Sequence, residues 1–223
     1  MAGVALGAEN ERAAIQIVIL DGHDLFRMGL ARYLEREPDL HVLAHAGSGP
    51  AGLRLMRNLH PNVVVLDQDL PGVRVADVVT EVGGEPRVVV LDASTTPAAV
   101  TEALTTGASS YLGKDSDVDD IAAAIRAAAA GNTWLSAAAS QVVTARLRDA
   151  PPLALSSPVT GRLSARELEV LRLLARGLDN AEIAASLAIT PSTAKNHVSS
   201  ILTKLEVPNR ILAAIYAVRH ELA

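Results

Sequence analysis

Over its first 135 residues the chain alternates short runs of apolar residues with longer stretches in which apolar positions recur every three or four residues. The runs are IQIVIL (15–20), LHVLA (40–44), NVVVL (62–66), RVVVL (87–91) and SSYL (109–112). Three of them are almost continuously apolar, as strands are when both faces of a sheet are covered. The stretches between are amphipathic: in Leu25–Glu35, for example, Phe26, Leu30, Tyr33 and Leu34 share one side. Five strand–helix repeats of this kind predict an α/β fold with a doubly wound, five-stranded parallel sheet. In such sheets functional groups gather where the strands end at their carboxyl termini.

After the last repeat the pattern changes. An Ala-rich helix over Val118–Ala130 is stopped by Gly131-Asn132, and a further helical stretch runs from about residue 136 to 148. The segment DAPPLALSSPVTG follows, and its three prolines interrupt regular structure, which reads as a linker. Everything after Leu163 has helical spacing with no strand candidate. The expected organisation is a disordered tail (1–14), an α/β domain (15–135), a linker helix with a Pro-rich linker (136–160) and an all-α, four-helix domain (161–223).

The boundaries of those four helices are written in their caps. Ser164 and Glu167 form a capping box ahead of Leu168, Leu171, Leu174 and Ala175, and Gly177 ends that helix. Asp179 or Asn180 caps a short helix carrying Ile183, Ala184 and Leu187 inward. Thr190 caps a third, with Pro191 at its first position and Ala194, Val198, Ile201, Leu202 and Leu205 inward. Asn209 caps the last, whose apolar face is expected to be Ile211, Leu212, Ile215 and Val218. A short helix, a three-residue turn and a longer capped helix have helix-turn-helix geometry, in which the second helix enters the major groove of DNA. Its outward residues are Ser192, Thr193, Lys195, Asn196 and Ser199, of which Lys suits guanine or phosphate and Asn suits adenine. The same spacing also fits a plain helical bundle with a polar outer face.

Composition narrows the classes. Only five aromatic residues and no cysteine are present, so packing rests on Ala, Val, Leu and Ile, and disulfides and thiolate chemistry are excluded. The start of the chain lacks the basic and apolar regions of a signal peptide, and no long apolar stretch follows, so a cytoplasmic protein without a membrane anchor is expected. The net charge of −5 is uneven: residues 1–160 carry 12 Lys/Arg against 19 Asp/Glu, whereas residues 161–223 carry 8 against 6. The basic balance at the end of the chain permits nucleic-acid binding there. Neither GxGxxG nor GxxxxGK follows the first strand, where the loop reads LDGHDL, which argues against a nucleotide-dependent enzyme.

The segment LSARELEVLRLLARGLDNAEIAASLAITPSTAKNHVSSILTKLEVPNR resembles the LuxR-type helix-turn-helix along its length. The resemblance implies binding to double-stranded DNA, with base contacts at Lys195, Asn196 and Ser199 and phosphate contacts at Thr190, Ser192, Thr193, Lys204 and Arg210. It also implies a homodimer through the last helix, at Ile211, Ile215 and Val218, although a place in the domain's own core fits these residues equally well.

Residues 15–135 are similar to the receiver domain of NarL/FixJ-type response regulators, through ILDGHDLFRMGL, EREPDLHVLAHA, PNVVVLDQDLPG and GASSYLGKD. In a receiver, a strand-end Asp accepts a phosphoryl group from a histidine kinase. An acidic pair holds Mg²⁺, a hydroxyl residue binds the phosphoryl oxygens, and a Lys neutralises their charge. By position Asp67 is the phosphoacceptor, Asp21 the first acid, Lys114 the lysine and Tyr111 the aromatic switch residue. The second acid is replaced by Gly22 and the hydroxyl residue by Asp92. Both departures oppose acyl-phosphate formation, one by removing a metal ligand and one by placing like charge beside the phosphoryl group.

The resemblance therefore implies an atypical receiver with no metal at a degenerate Mg²⁺ site and no cofactor. In this reading Asp21, Asp67 and Asp92 crowd around Lys114, and control passes to dimerisation or a small-molecule ligand; polar groups that merely hydrogen-bond each other and the loop backbone fit the same sequence. The alternative is a conventional two-component regulator phosphorylated on Asp67. His23, beside the acidic loop, is read as structural.

Overall fold

The computed structural model describes residues 14–81, 87–149, 162–220 and 222. The tail expected over 1–14, apart from its last residue, and the Pro-rich linker lie outside the described residues. Five strands, β1 (Ile15–Leu20), β2 (Leu40–Ala46), β3 (Val63–Asp67), β4 (Arg87–Asp92) and β5 (Ser110–Gly113), form one parallel sheet in the order β2-β1-β3-β4-β5. Between and after them come α1 (Asp24–Leu34), α2 (Gly49–Leu59), α3 (Val75–Glu81), α4 (Pro97–Thr106) and α5 (Val118–Ala129).

The continuous apolar runs have their explanation in two cores, one on each face of the sheet. Val18, Leu20, Val64, Leu66, Val88 and Val90 point to the side covered by α2, α3 and α4. Their neighbours Ile17, Ile19, Val63, Val65, Val89 and Leu91 point to the side covered by α1 and α5. Side chains alternate along each strand, so covering both faces leaves no position for a polar residue.

α4 and α5 end in the left-handed turns that Gly107 (φ +113°) and Gly131 (φ +79°) supply. The chain then returns to the sheet. The Tyr111 amide donates to the Trp134 carbonyl (3.1 Å), and the Ser136 amide donates to the Tyr111 carbonyl (3.0 Å). From there α6 (Ala137–Asp149) runs back against α4.

The last part is helical throughout: α7 (Ala165–Ala175), α8 (Asn180–Leu187), α9 (Pro191–Leu205) and α10 (Arg210–Arg219). The caps sit where the sequence places them. Ser164–Glu167 and Asp179–Glu182 are both complete capping boxes, and Thr190 and Asn209 each accept from the backbone amide three residues on. Ala188, in the left-handed region (φ +53°), makes the turn between α8 and α9. Of the two roles open to the apolar residues of α10, the place in the core goes to others. The side of α10 that enters the core consists of Ala213, Tyr216 and Ala217, whereas Ile211, Leu212 and Ile215 are only half-buried and Val218 is exposed. Two alanines beside one large ring let α10 lie close on α7 and α9. The bulky aliphatic side chains are left on its outer flanks.

Among the described residues no helix is long and apolar enough to cross a membrane.

α7 and α9 are fastened by Glu167, a buried carboxylate in the core-facing row of α7. It accepts both from the Lys204 ammonium, at 2.7 Å to each oxygen, and from the Ser200 hydroxyl (2.6 Å). Lys204, with Ser200 and the α7 N-terminus, holds the Glu167 carboxyl down at about 2. A depressed carboxylate stabilises the fold above its ordinary pKa, near 4.5, and that contribution is lost as pH falls from there towards 2. Glu167→Gln should therefore cost about 1.5–3 kcal/mol at neutral pH. The gap from the unsubstituted protein should narrow below pH 4.5, as measured by urea denaturation across pH.

Candidate functional site: an acidic pocket and a docked recognition helix

Three buried carboxylates and one lysine meet at the carboxyl ends of the strands. Asp21 follows β1, Asp67 ends β3, Asp92 ends β4 and Lys114 follows β5. The Lys114 ammonium lies 2.8 Å from Asp21 and 2.9 Å from Asp67, and 5.3 Å from the centre of the Phe26 ring. Burial alone would lower the Lys114 pKa, but the two carboxylates outweigh it and hold the group above its usual value. Backbone amides complete the carboxylates: His23 donates to Asp21 (2.7 Å), and Gly22 and Asp69 donate to Asp67 (3.3 Å each). Beneath the loop Arg27 is nearly buried and donates to the Asp21 carbonyl (2.5 Å) and to Asp24 (2.5 Å).

The expectation that all three acids surround Lys114 is corrected here. The Asp92 side chain turns the other way, accepting from the fully buried Tyr111 hydroxyl and from the Ser94 amide (3.0 Å). The physical reason is charge. Lys114 is already shared by two carboxylates, and a neutral phenol donor is a better partner for the third. Burial, reinforced by Asp92, pushes the Tyr111 phenol far above its ordinary pKa, so it remains a donor.

Mg²⁺ takes oxygen ligands in near-octahedral array, and this pocket offers them from two carboxylates, Asp21 and Asp67. Gly22 provides none, although there is room for a side chain. A β-carbon there would meet only Pro71 (3.5 Å), Asp67 (3.8 Å) and Leu70 (4.0 Å), all ordinary contacts. What remains is two carboxylates and the imidazole of His23, with ligand atoms all within 4.8 Å of one another, and Lys114 bridges the carboxylates. His23 is exposed, with Nδ1 3.4 Å from Asp21 and 3.2 Å from the Lys114 ammonium. It sits over the pocket, a place that its sequence context does not reveal.

At the opposite ends of the strands, the helix-turn-helix lies against the α/β domain. Of the residues expected to meet DNA, Thr190, Ser192, Asn196 and Ser199 are exposed and Thr193 is half-exposed. Three others are placed differently from expectation. Lys195 does not point freely outward: it is half-buried, and its ammonium reaches to 3.5 Å from the Ala129 carbonyl. Lys204 is held by Glu167. Arg210 donates to the carbonyls of Gly131 (3.2 Å) and Leu178 (2.5 Å) and to the Asn132 side chain (2.5 Å), and burial lowers its pKa.

Two asparagines that the sequence reading did not select as binding residues complete the contact. Asn180 donates from its side chain to the Ala130 carbonyl (2.8 Å) and from its amide to Asn132 (3.1 Å). Asn209 donates to the carbonyls of Leu104 (2.5 Å) and Ala108 (3.2 Å), while its oxygen caps α10. The acceptors cluster at the C-termini of α4 and α5, where unpaired carbonyls carry partial negative charge. Amide and cationic donors that would suit nucleic-acid phosphates are thereby spent on helix ends.

Two family models each match part of the chain. The model of the response regulator receiver domain matches residues 17–126, and that of bacterial regulatory proteins of the luxR family matches residues 161–217. The transcriptional regulatory protein LiaR of Bacillus subtilis (strain 168) is 37% identical over 211 residues, covering 93% of this chain and 99% of its own. The nitrate/nitrite response regulator protein NarL of Escherichia coli (strain K12) is 35% identical over 203 residues, covering 90% and 93%. Among solved structures, the response regulator ChrA of a heme-sensing two-component system is 30% identical, with a TM-score of 0.51 over 95% of this chain and all of that one.

The bond from Tyr111 to Asp92 is open to direct measurement. Tyr111→Phe keeps the ring and strands a buried carboxylate oxygen, so it should cost about 1–3 kcal/mol in urea denaturation. Asp92→Asn, which retains an acceptor for the phenol, should cost less. A Tyr111→Phe protein as stable as the unsubstituted one would remove the bond from any account of the fold.

Proposed function

We propose, from the premise that this chain belongs to the response regulators that join a receiver domain to a luxR-type DNA-binding domain, that its receiver controls access to DNA by docking and not by phosphoryl transfer. The observation that carries this reading is Asp92. Where a hydroxyl residue would receive the oxygens of a phosphoryl group on Asp67, Asp92 has no donor to give, and its carboxylate is taken by Tyr111 and Ser94. Gly22 adds no metal ligand to the pocket, and the Lys114 ammonium is already shared by Asp21 and Asp67.

The DNA-binding domain works through α9, with Lys195, Asn196 and Ser199 at base edges and Thr190, Ser192 and Thr193 at phosphates. In the docked form Lys195 and the neighbouring Asn209 and Arg210 are turned to the receiver, so DNA must displace the receiver to gain them. Lys204 and Arg210 contribute to phosphate binding only as far as Glu167 and the receiver release them. The active species is a homodimer in the cytoplasm. If docked molecules outnumber open ones about a hundredfold, apparent DNA affinity falls by the same factor.

A second reading keeps phosphorylation, and one observation favours it: Asp67 and Lys114 stand 2.9 Å apart at the strand ends, as a phosphoacceptor and its lysine should. Incubation with acetyl phosphate and Mg²⁺, followed by intact-mass and peptide analysis, separates the two. The docking reading expects no phosphoryl adduct on the unsubstituted protein and a Mg²⁺-dependent adduct on the Gly22→Asp/Asp92→Thr double variant. Stoichiometric modification of the unsubstituted protein at Asp67 would establish the second reading.

Docking has its own test in Asn209→Asp. The aspartate keeps the cap on α10 and removes the donor to Leu104 and Ala108, placing negative charge against carbonyls. A loss of about 1–3 kcal/mol at the interface should tighten DNA binding by roughly five- to a hundredfold in a mobility-shift titration. Unchanged affinity would show that docking does not limit DNA access.

A further inference from the structure

The aliphatic flank of α10 that its own domain leaves unused faces a cleft of about 300 Å³ between the two domains. Ile211, Ile215 and Val218 form one wall, and Leu174 adds to it from α7. Leu135 and Val143, from the junction after α5 and from α6, form the facing wall. Neither domain alone encloses this space, so it exists only while the two are docked.

The lining defines what fits. The volume matches the lower range of small-molecule sites and holds roughly ten waters. One turn of a partner helix, about 10 Å across and 5.4 Å long, exceeds it. Charge is not called for. Arg210 and Asp179 stand at one end with opposite signs, and each already has partners: Arg210 donates to carbonyls, and Asp179 accepts from the Glu182 amide. The hydroxyl of Thr133 and the amide of Asn132, also in the lining, offer hydrogen-bonding groups to a ligand with a single polar end.

We propose that this cleft binds one small, uncharged, predominantly apolar molecule and that the ligand holds the docked arrangement. The inference rests on the docking reading above and assigns that reading an effector. A ligand that touches both walls binds the docked form and not the open one, so ligand and DNA each weaken the other's binding by the same factor. Release of poorly hydrogen-bonded water from the aliphatic walls supplies the driving force.

The test uses the full-length chain and N-phenylnaphthylamine, an uncharged probe whose fluorescence rises in apolar surroundings. One equivalent should bind saturably. Ala214→Phe, which fills the cleft from α10, and Val218→Glu, which places charge at its exposed mouth, should each weaken binding by about tenfold or more. Urea melts of both variants confirm that they fold. Saturating probe should lower affinity for DNA by roughly fivefold or more, and DNA should release the probe to the same extent. Absence of single-site binding, or binding unaltered in both folded variants, overturns the proposal, as does binding that DNA does not oppose. The two readings fail separately. Docking fails as an unchanged DNA affinity in Asn209→Asp, without any probe present. The cleft fails as missing probe fluorescence in a chain whose Asn209→Asp variant has shown docking to be real.

Discussion

An α-helix ends in carbonyl groups that have no partner within the helix, and the places where α4 and α5 find theirs organise this molecule. The turns at Gly107 and Gly131 satisfy some of these carbonyls locally, through the amides of Ala108, Gly131 and Asn132. Those of Leu104, Ala108, Ala129, Ala130 and Gly131 take side chains from the other domain. Two adjacent helix ends concentrate partial negative charge on one edge of the receiver. A mildly basic helical domain has amides and cations ready to meet it. The position of the recognition helix, the half-burial of Lys195 and the cleft beside α10 all follow from that match.

At the other ends of the strands a different balance holds. Three acids and one lysine would leave an excess of negative charge, and the structure divides the problem. Lys114 serves Asp21 and Asp67, and the Tyr111 phenol serves Asp92. The same tyrosine, through its backbone, binds the segment that leads into α6. One residue thus joins the acidic pocket to the helix that leaves the receiver.

Much of this architecture is legible in the sequence because it rests on repeating or local chemistry. Apolar runs such as IQIVIL alternate between two cores, and Ser164, Asp179, Thr190 and Asn209 announce helix starts by bonds spanning three residues. The matches at Asp21, Asp67 and Lys114 likewise depend on where strands end. What escapes the sequence is the choice of partner at long range. Nothing in the pattern says that Asp92 prefers a phenol to an ammonium, or that Arg210 meets backbone carbonyls, which every residue carries and no sequence distinguishes. The inward face of α10 is missed for a related reason. Hydrophobicity favours Ile211, Ile215 and Val218, but close approach to α7 and α9 selects Ala213 and Ala217 with Tyr216 between them.

The contacts between α9, α10 and the receiver lie within a single chain, and this has a kinetic and quantitative consequence. A competitor on the same chain acts at a fixed local concentration. That concentration does not change when the cell makes more or less of the protein. Dilution cannot undock the recognition helix, and accumulation cannot crowd it shut. The ratio of docked to open molecules is therefore a property of the molecule's own covalent geometry and does not change with its abundance.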